Sequence, residues 1–359
     1  MAMPLGFGLV GCGKIARKHI HVLNQLPGAR IVACCDLDLE RAAARADEAG
    51  GAIATGSVEE LCAHPEVEAI TVATPSGSHA AVALAAARAG KHVIVEKPIA
   101  LTLSEADAII DACDEAGVKL FVVKQNRYNR PVVALRRALD AGRLGRLFMG
   151  GARVLWHRDQ NYYDQEPWRG TWAQDGGVCT NQASHHIDLL LWLMGEVVSV
   201  FATGTQVLHD IETEDTATVL LRFREGAAAT VQATTCTQPR DLEGSIAVFG
   251  TSGTVEIGGF AANELRTWML AEETPEDARI FDEWGRNPSE FAYNHRCFYE
   301  DVLQTIASNR RALIDGIAGR RSLEVIRAIY ESMETGREVF LRFEPRECRL
   351  GSGGSREDA

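Results

Sequence analysis

A chain of 359 residues, 46% hydrophobic and 24% charged, has globular composition and the length of two domains. Its net charge of −12 excludes nucleic acid as the main partner, because phosphate binding needs a basic surface. No apolar run approaches the roughly 20 residues of a membrane span, and MAMPLGFGLVGCG has no leader pattern, so the expected compartment is the cytoplasm.

The first element is LGFGLV, an apolar strand that runs into a glycine turn and the helix start KIARKHI. Gly11, Gly13 and Ala16 form G-x-G-x-x-A: a tight turn, a backbone open to a pyrophosphate, and a small residue for close packing of helix on strand. The helix N-terminus adds free N–H groups for the phosphates. The next strand, ARIVACCD, ends in Asp36, placed to accept hydrogen bonds from a ribose diol and to repel a 2′-phosphate, so the expected cofactor is NAD and not NADP. The alternative is that Asp36 caps the helix LDLERAAARADEAG. The nine cysteines are odd in number and scattered, with no CxxC pair; they read as reduced, buried thiols, and no metal is expected.

Strand and helix then alternate through EVEAITVAT, SHAAVALAAARAG, KHVIVEKP, LSEADAIIDACDEAG and KLFVVKQN. Nearly all-apolar strands in such alternation predict a parallel sheet covered on both faces, an α/β dinucleotide-binding domain over residues 1–127. Ligands on such sheets lie at the carboxyl ends of strands, which singles out Thr74-Pro75, Glu96-Lys97-Pro98 and Gln125-Asn126-Arg127. Lys97 sits at a strand end and is biased towards extended backbone by Pro98, which aims its ammonium in a set direction.

After Arg127 a helix, PVVALRRALDAG, leads to the strand FMGGARVLWH. From residue 197 the segments VVSVFATGTQVL, DTATVLLRF, AAATVQATTC, SIAVFG, GTVEIG and ELRTWML follow at hairpin spacing, which predicts antiparallel order. SLEVIRAIYESMETG is an amphipathic helix closed by glycine. The expected second domain covers residues 128–345, and the tail 346–359 has too little apolar content to fold.

Between these lies GGVCTNQASHHID, followed by the apolar run LLLWLMG. Thr180 or Asn181 is placed to cap the helix. His185 falls four residues after Asn181 and shares its face, with Asp188 near the same face, whereas His186 points about 100° away. The early turns of a helix and a nearby ammonium both keep an imidazole neutral, as a general base requires. His186 reads as structural.

G-x-G-x-x-A, ATPSGSH (73–79), EKP (96–98) and the glycine-pair and histidine segment, in this order, resemble the glucose–fructose oxidoreductase / inositol dehydrogenase / MocA family. The resemblance runs from about residue 5 to 342. It implies a Rossmann domain followed by an α+β domain on an open, mostly antiparallel sheet. It also implies Lys97 as the lysine touching nicotinamide and substrate hydroxyl, and His185 as the acid/base. The family carboxylate four residues before that histidine is Asn181 here, a departure that lessens repulsion of an anionic substrate. Further cofactor contacts implied by the resemblance are Lys14, Ile15, His79, Trp168, Arg169 and Tyr293.

KQNRYNRPV, YYDQEPWRGTW and NQASHHIDLLLWLMG are similar to the branch of this family that oxidises UDP-N-acetylglucosaminuronate at C3 for bacterial surface polysaccharide. The segment from Lys124 to Arg169 holds ten Lys/Arg and four Asp/Glu, which reads either as ordinary solvated helix charge or as an anion-binding wall of Arg127, Arg153, Arg158 and Arg169. Tyr128 and Gln182 join Lys97, Arg127, Arg158, Asn181 and His185 as implied substrate contacts. The family implies a homodimer or homotetramer. Two alternatives stand beside this reading: a dehydrogenase of a free polyol or pyranose, and a dinucleotide sensor without turnover.

Overall fold

The computed structural model describes residues 3–342 and residue 350. The expected disordered tail, apart from Leu350, lies outside the described residues. The chain divides into two units, Met1–Gln125 with Phe291–Leu323, and Asn126–Glu290 with Glu324–Ala359.

The first unit opens with β1 (Leu5–Val10), α1 (Ala16–Gln25), β2 (Ala29–Cys35), α2 (Leu39–Glu48), β3 (Ile53–Thr55), α3 (Val58–Ala63) and β4 (Ala69–Val72). It continues with α4 (His79–Arg88), β5 (His92–Val95), α5 (Leu103–Glu115) and β6 (Leu120–Val122). The strands form one parallel sheet in the order β3-β2-β1-β4-β5-β6. Every residue of β4 and β6 is buried, as a sheet covered on both faces demands. The order reverses between β1 and β4, so the carboxyl ends of those two strands border the crevice where such sheets bind ligands. β3 and α3 span three and six residues, too few to leave a periodic signal. α5 starts with a capping box: Thr102 accepts from the Glu105 N–H at 3.2 Å, and Glu105 accepts from the Thr102 N–H at 3.1 Å.

The second unit contains α6 (Arg130–Asp140), β7 (Leu147–Leu155), α7 (Gln160–Asp164), α8 (Ser184–Met194), β8 (Val197–Thr205), β9 (Thr216–Phe223) and β10 (Ala228–Thr234). β11 (Glu243–Gly250), β12 (Gly253–Gly258), β13 (Glu264–Leu270) and α9 (Ile280–Trp284) follow. Next in the chain come α10 (Tyr293–Ser308), which belongs to the first unit, α11 (Gly316–Thr335), whose residues divide between the two, and β14 (Val339–Phe340) of the second. Eight strands form an open sheet in the order β13-β12-β11-β7-β10-β9-β8-β14, antiparallel except where β7 meets β10. The apolar helix α8 packs on β7 and β11. β9 and β10 alternate buried and accessible residues, the signature of a sheet with one face covered.

One expected boundary is corrected. Phe291–Leu323 belongs to the first unit and does not continue a second domain running from 128 to 345. α10 brings Tyr299 into the Rossmann core, where its hydroxyl meets Thr71 Oγ1 at 3.0 Å and His19 Nδ1 at 2.9 Å, with Phe7 edge-on to its ring. Among the described residues the eight cysteines form no disulfide, and six of them are buried.

Candidate active site

In the first unit the dinucleotide turn is built by close backbone approach. Gly11 adopts φ +95°, and a Cβ there would lie 2.5 Å from the Ala73 carbonyl carbon and 2.6 Å from the Thr74 nitrogen. Gly13 is different: a Cβ there would meet nothing within 4 Å, so the turn faces open room. Ala16 is wholly buried among Leu9, Cys34 and Ala73. α1 starts with neither a side-chain cap nor an acidic residue in its first turn, which leaves its N–H groups for an anion. The Thr74 hydroxyl, at the end of β4, is buried without a hydrogen-bond partner. An open cradle, an uncapped helix start and an orphaned hydroxyl on one sheet edge fit a bound NAD.

Asp36 stays partly accessible. One of its oxygens accepts the Cys12 N–H at 2.7 Å and the other the Asp38 N–H at 2.9 Å. The capping alternative falls, because α2 is capped by Asp38, which accepts from Glu40 and Arg41.

Lys97 is half-buried immediately after β5, on the same edge. Two of the expected cofactor contacts also support the loops around Lys97. Glu96 is buried, meets His19 Nε2 at 3.0 Å and accepts the backbone N–H of Lys97 at 3.1 Å. Burial pushes its carboxyl up, but the His19 hydrogen bond and the charges of His19, His295 and Lys97 hold it well below the usual carboxylate range. His79 is buried between two carbonyls, Pro98 O at 2.7 Å and Thr74 O at 2.9 Å, and burial lowers its pKa. It is a strut between the loops after β4 and β5. Pro75 and Gln125 are half-buried at strand ends, Lys14 is exposed on the glycine turn, and Ile15 is partly buried there. Tyr293 opens α10 and so lies in this same unit, with the Arg296 guanidinium 5.6 Å from its ring.

In the second unit, residues 175–190 are buried with two exceptions, Asn181 and His185. The four-residue spacing thus puts an amide and an imidazole on the one accessible face of this segment. His186 is fully buried, edge-on to Trp156, and burial lowers its pKa to about 4. Gln182 is buried as well.

The expected cap on α8 is also corrected. The helix begins at Ser184 with no side-chain cap, because both candidate residues are engaged elsewhere. The Thr180 hydroxyl donates to Tyr330 Oη at 2.8 Å, and Asn181 Nδ2 donates to Asp175 at 2.6 Å. Tyr330 Oη also accepts the Gly177 N–H at 2.9 Å and donates to Glu214 at 3.1 Å. Glu214 in turn accepts the Cys179 N–H at 2.8 Å. A Cβ on Gly177 would fall 2.1 Å from a Glu214 oxygen, which is why the second glycine of the pair is required. Burial pushes Glu214 up to about 7, more than its hydrogen bonds lower it. Sequence order gives no hint of Tyr330 or Glu214, which lie far along the chain; Asp175, just before the glycine pair, could have been noticed.

The arginines of the expected anion wall have separate partners in the fold. Arg127 forks onto Asp188 through Nε at 2.8 Å and Nη2 at 2.7 Å, both side chains buried, so it braces α8. Arg153 pairs with Glu243 on the sheet. Arg158 reaches Asp241 at 3.2 Å and lies over Trp156 and Tyr162. Arg169 lies 4.0 Å from the centroid of Tyr162 and 5.3 Å from that of its neighbour Trp168, and donates to Tyr162 O at 2.9 Å. Tyr128 is half-buried. His209, Asp215 and Cys236 cluster within 4.8 Å, but Asp215 already accepts the N–H groups of Val207, Leu208 and His209, so the cluster staples a turn.

Two outcomes follow from these buried groups. Arg127→Ala removes both guanidinium bonds from the buried Asp188 carboxylate and should lower stability by about 3–5 kcal/mol, read in denaturant unfolding. Glu214 holds its proton to higher pH in the folded chain, so stability is full below its ordinary value near 4.5 and declines as pH rises through about 7. Glu214→Gln should remove about 3 kcal/mol of that decline, read by comparing unfolding at acidic and mildly alkaline pH.

Comparison with known proteins gives the same picture. Residues 5–124 match the oxidoreductase family with an NAD-binding Rossmann fold, and residues 132–256 match the GFO/IDH/MocA C-terminal domain. The chain is similar to the WlbA dehydrogenase of Bordetella pertussis, solved with NADH and UDP-GlcNAcA: 39% identity over 96% of this chain and 99% of that one, TM-score 0.91. The WlbA dehydrogenase of Chromobacterium violaceum, solved with the same two ligands, is 38% identical over 95% of this chain and 96% of that one, TM-score 0.88. Myo-inositol 2-dehydrogenase of Thermotoga maritima is 29% identical over 90% of this chain and 97% of its own. The chain therefore belongs to the GFO/IDH/MocA family and is an NAD-dependent oxidoreductase of the sugar and polyol dehydrogenase kind.

Proposed function

We propose that the protein oxidises the C3 hydroxyl of UDP-N-acetyl-D-glucosaminuronate to the ketone, in the cytoplasm, on the route to a bacterial surface polysaccharide. The observation that carries this reading is the accessible face of residues 175–190, which offers His185 beside an uncharged Asn181. A carboxylate at 181 would repel a uronate; an amide does not. The similarity to two dehydrogenases solved with UDP-GlcNAcA supports the same substrate.

His185 takes the C3 hydroxyl proton as general base. The Lys97 ammonium donates to the same oxygen and offsets its negative charge as the carbonyl forms. NAD, when bound, supplies the acceptor for the C3 hydride. The alcohol thus loses a proton to His185 and a hydride to the cofactor. Asn181 and Tyr128 hold the sugar, and Arg158 serves the anionic end of the substrate. On the cofactor, Gly11, Gly13, Lys14 and Ile15 line the phosphates, Asp36 takes the ribose, and Thr74, Pro75, Gln125, Trp168, Arg169 and Tyr293 supply further contacts. A homodimer or homotetramer is part of the reading. The open sheet face, where Phe201 and Leu220 pair on adjacent strands and are 46% and 42% exposed, supports association of copies.

A free polyol is the second reading, favoured by the similarity to myo-inositol 2-dehydrogenase. Rates of NADH formation with UDP-N-acetylglucosaminuronate and with myo-inositol decide between them; inositol oxidised as fast as the nucleotide sugar overturns the first. His185→Ala and Lys97→Ala should each lower kcat by at least about 100-fold while NADH binding persists. NADH binding by the unsubstituted chain without turnover of any sugar would make it a sensor. Asp36→Ala should narrow the preference for NAD over NADP by about tenfold or more in kcat/KM, and an unchanged ratio removes the ribose role.

A further inference from the structure

A side-chain amide has two ends of opposite polarity: its oxygen accepts and its nitrogen donates. The end that Asn181 turns outward therefore decides what it offers beside His185. Its Nδ2 lies 2.6 Å from Asp175 Oδ1. Asp175 is buried, and an ionised carboxylate only accepts, so the nitrogen is the end that must face it. The other Asp175 oxygen accepts the Gly170 N–H at 3.0 Å, which fixes the carboxylate in turn.

We infer that Asp175 is a positioning residue that holds the Asn181 amide with its nitrogen inward, so that the face shared with His185 receives an uncharged acceptor, the Asn181 oxygen. This rests on the proposed role of His185 towards the sugar. The negative charge is kept, but it sits behind the amide. The accessible face can accept a hydrogen from a hydroxyl or an imidazole without presenting a charge to a carboxylate-bearing substrate.

The test is a reciprocal exchange. In Asp175→Asn, the new amide oxygen keeps the Gly170 N–H, and the new amide nitrogen faces Asn181. Asn181 must then turn its oxygen inward and its nitrogen outward, so the acceptor becomes a donor. We expect kcat to fall about tenfold or more, with melting temperature and NADH binding unchanged. In Asp175→Asn combined with Asn181→Asp, the amide at 175 accepts from Gly170 and donates to the carboxylate at 181, so an outward acceptor returns, now charged. We expect kcat to recover to within about threefold of the unsubstituted protein, while KM for the uronate rises severalfold from like charge.

A wild-type kcat in Asp175→Asn overturns the inference. So does a double variant with kcat no higher than the single one. A wrong substrate assignment shows separately, in the unsubstituted protein, and the same variants are then compared on the alcohol that protein does oxidise.

Discussion

An apolar helix forces its surroundings to bury it, and every polar group that goes down with it must find a partner or face a cleft. Four groups of α8 and the turn before it meet that constraint through partners distant in sequence. Asp188 is neutralised by a forked arginine, Thr180 and the Gly177 amide meet a tyrosine hydroxyl, and Cys179 meets a carboxylate. Asn181 and His185 are left at the surface. The chemistry of this unit thus falls to the residues that the packing leaves partly accessible.

The glycine turn of the first unit was legible because its requirements are local. A positive φ, a close backbone approach and a small third residue are all properties of single positions, and Gly11 and Ala16 meet them in the structure. That the strands form a parallel sheet followed from apolar strands alternating with helices, but their order did not. The partial exposure of Asn181 and His185, four residues apart in a buried segment, agrees with the spacing that singled them out.

What was not legible depends on partners distant in sequence. α10 returns to the first unit because Tyr299 satisfies Thr71 and His19 in its core, and no pattern within α10 announces that. Charge read along the chain misled for the same reason. The excess of arginines between residues 124 and 169 looks like one surface, yet Asp188, Glu243 and Asp241 come from elsewhere in the sequence to match three of them. Glu96 and His79 stand in a motif that points to the cofactor, but folding spends both on bracing the loops around Lys97.

Asp36 carries a consequence for anyone who would retarget this enzyme to a phosphorylated dinucleotide. The usual exchange at that position swaps the acid for a small or basic side chain. Here the same carboxylate anchors the Cys12 amide in the phosphate-binding turn. A redesign that merely deletes it would slacken the turn it hopes to reuse, so a successful swap has to bring a substitute acceptor for that amide along with the new charge.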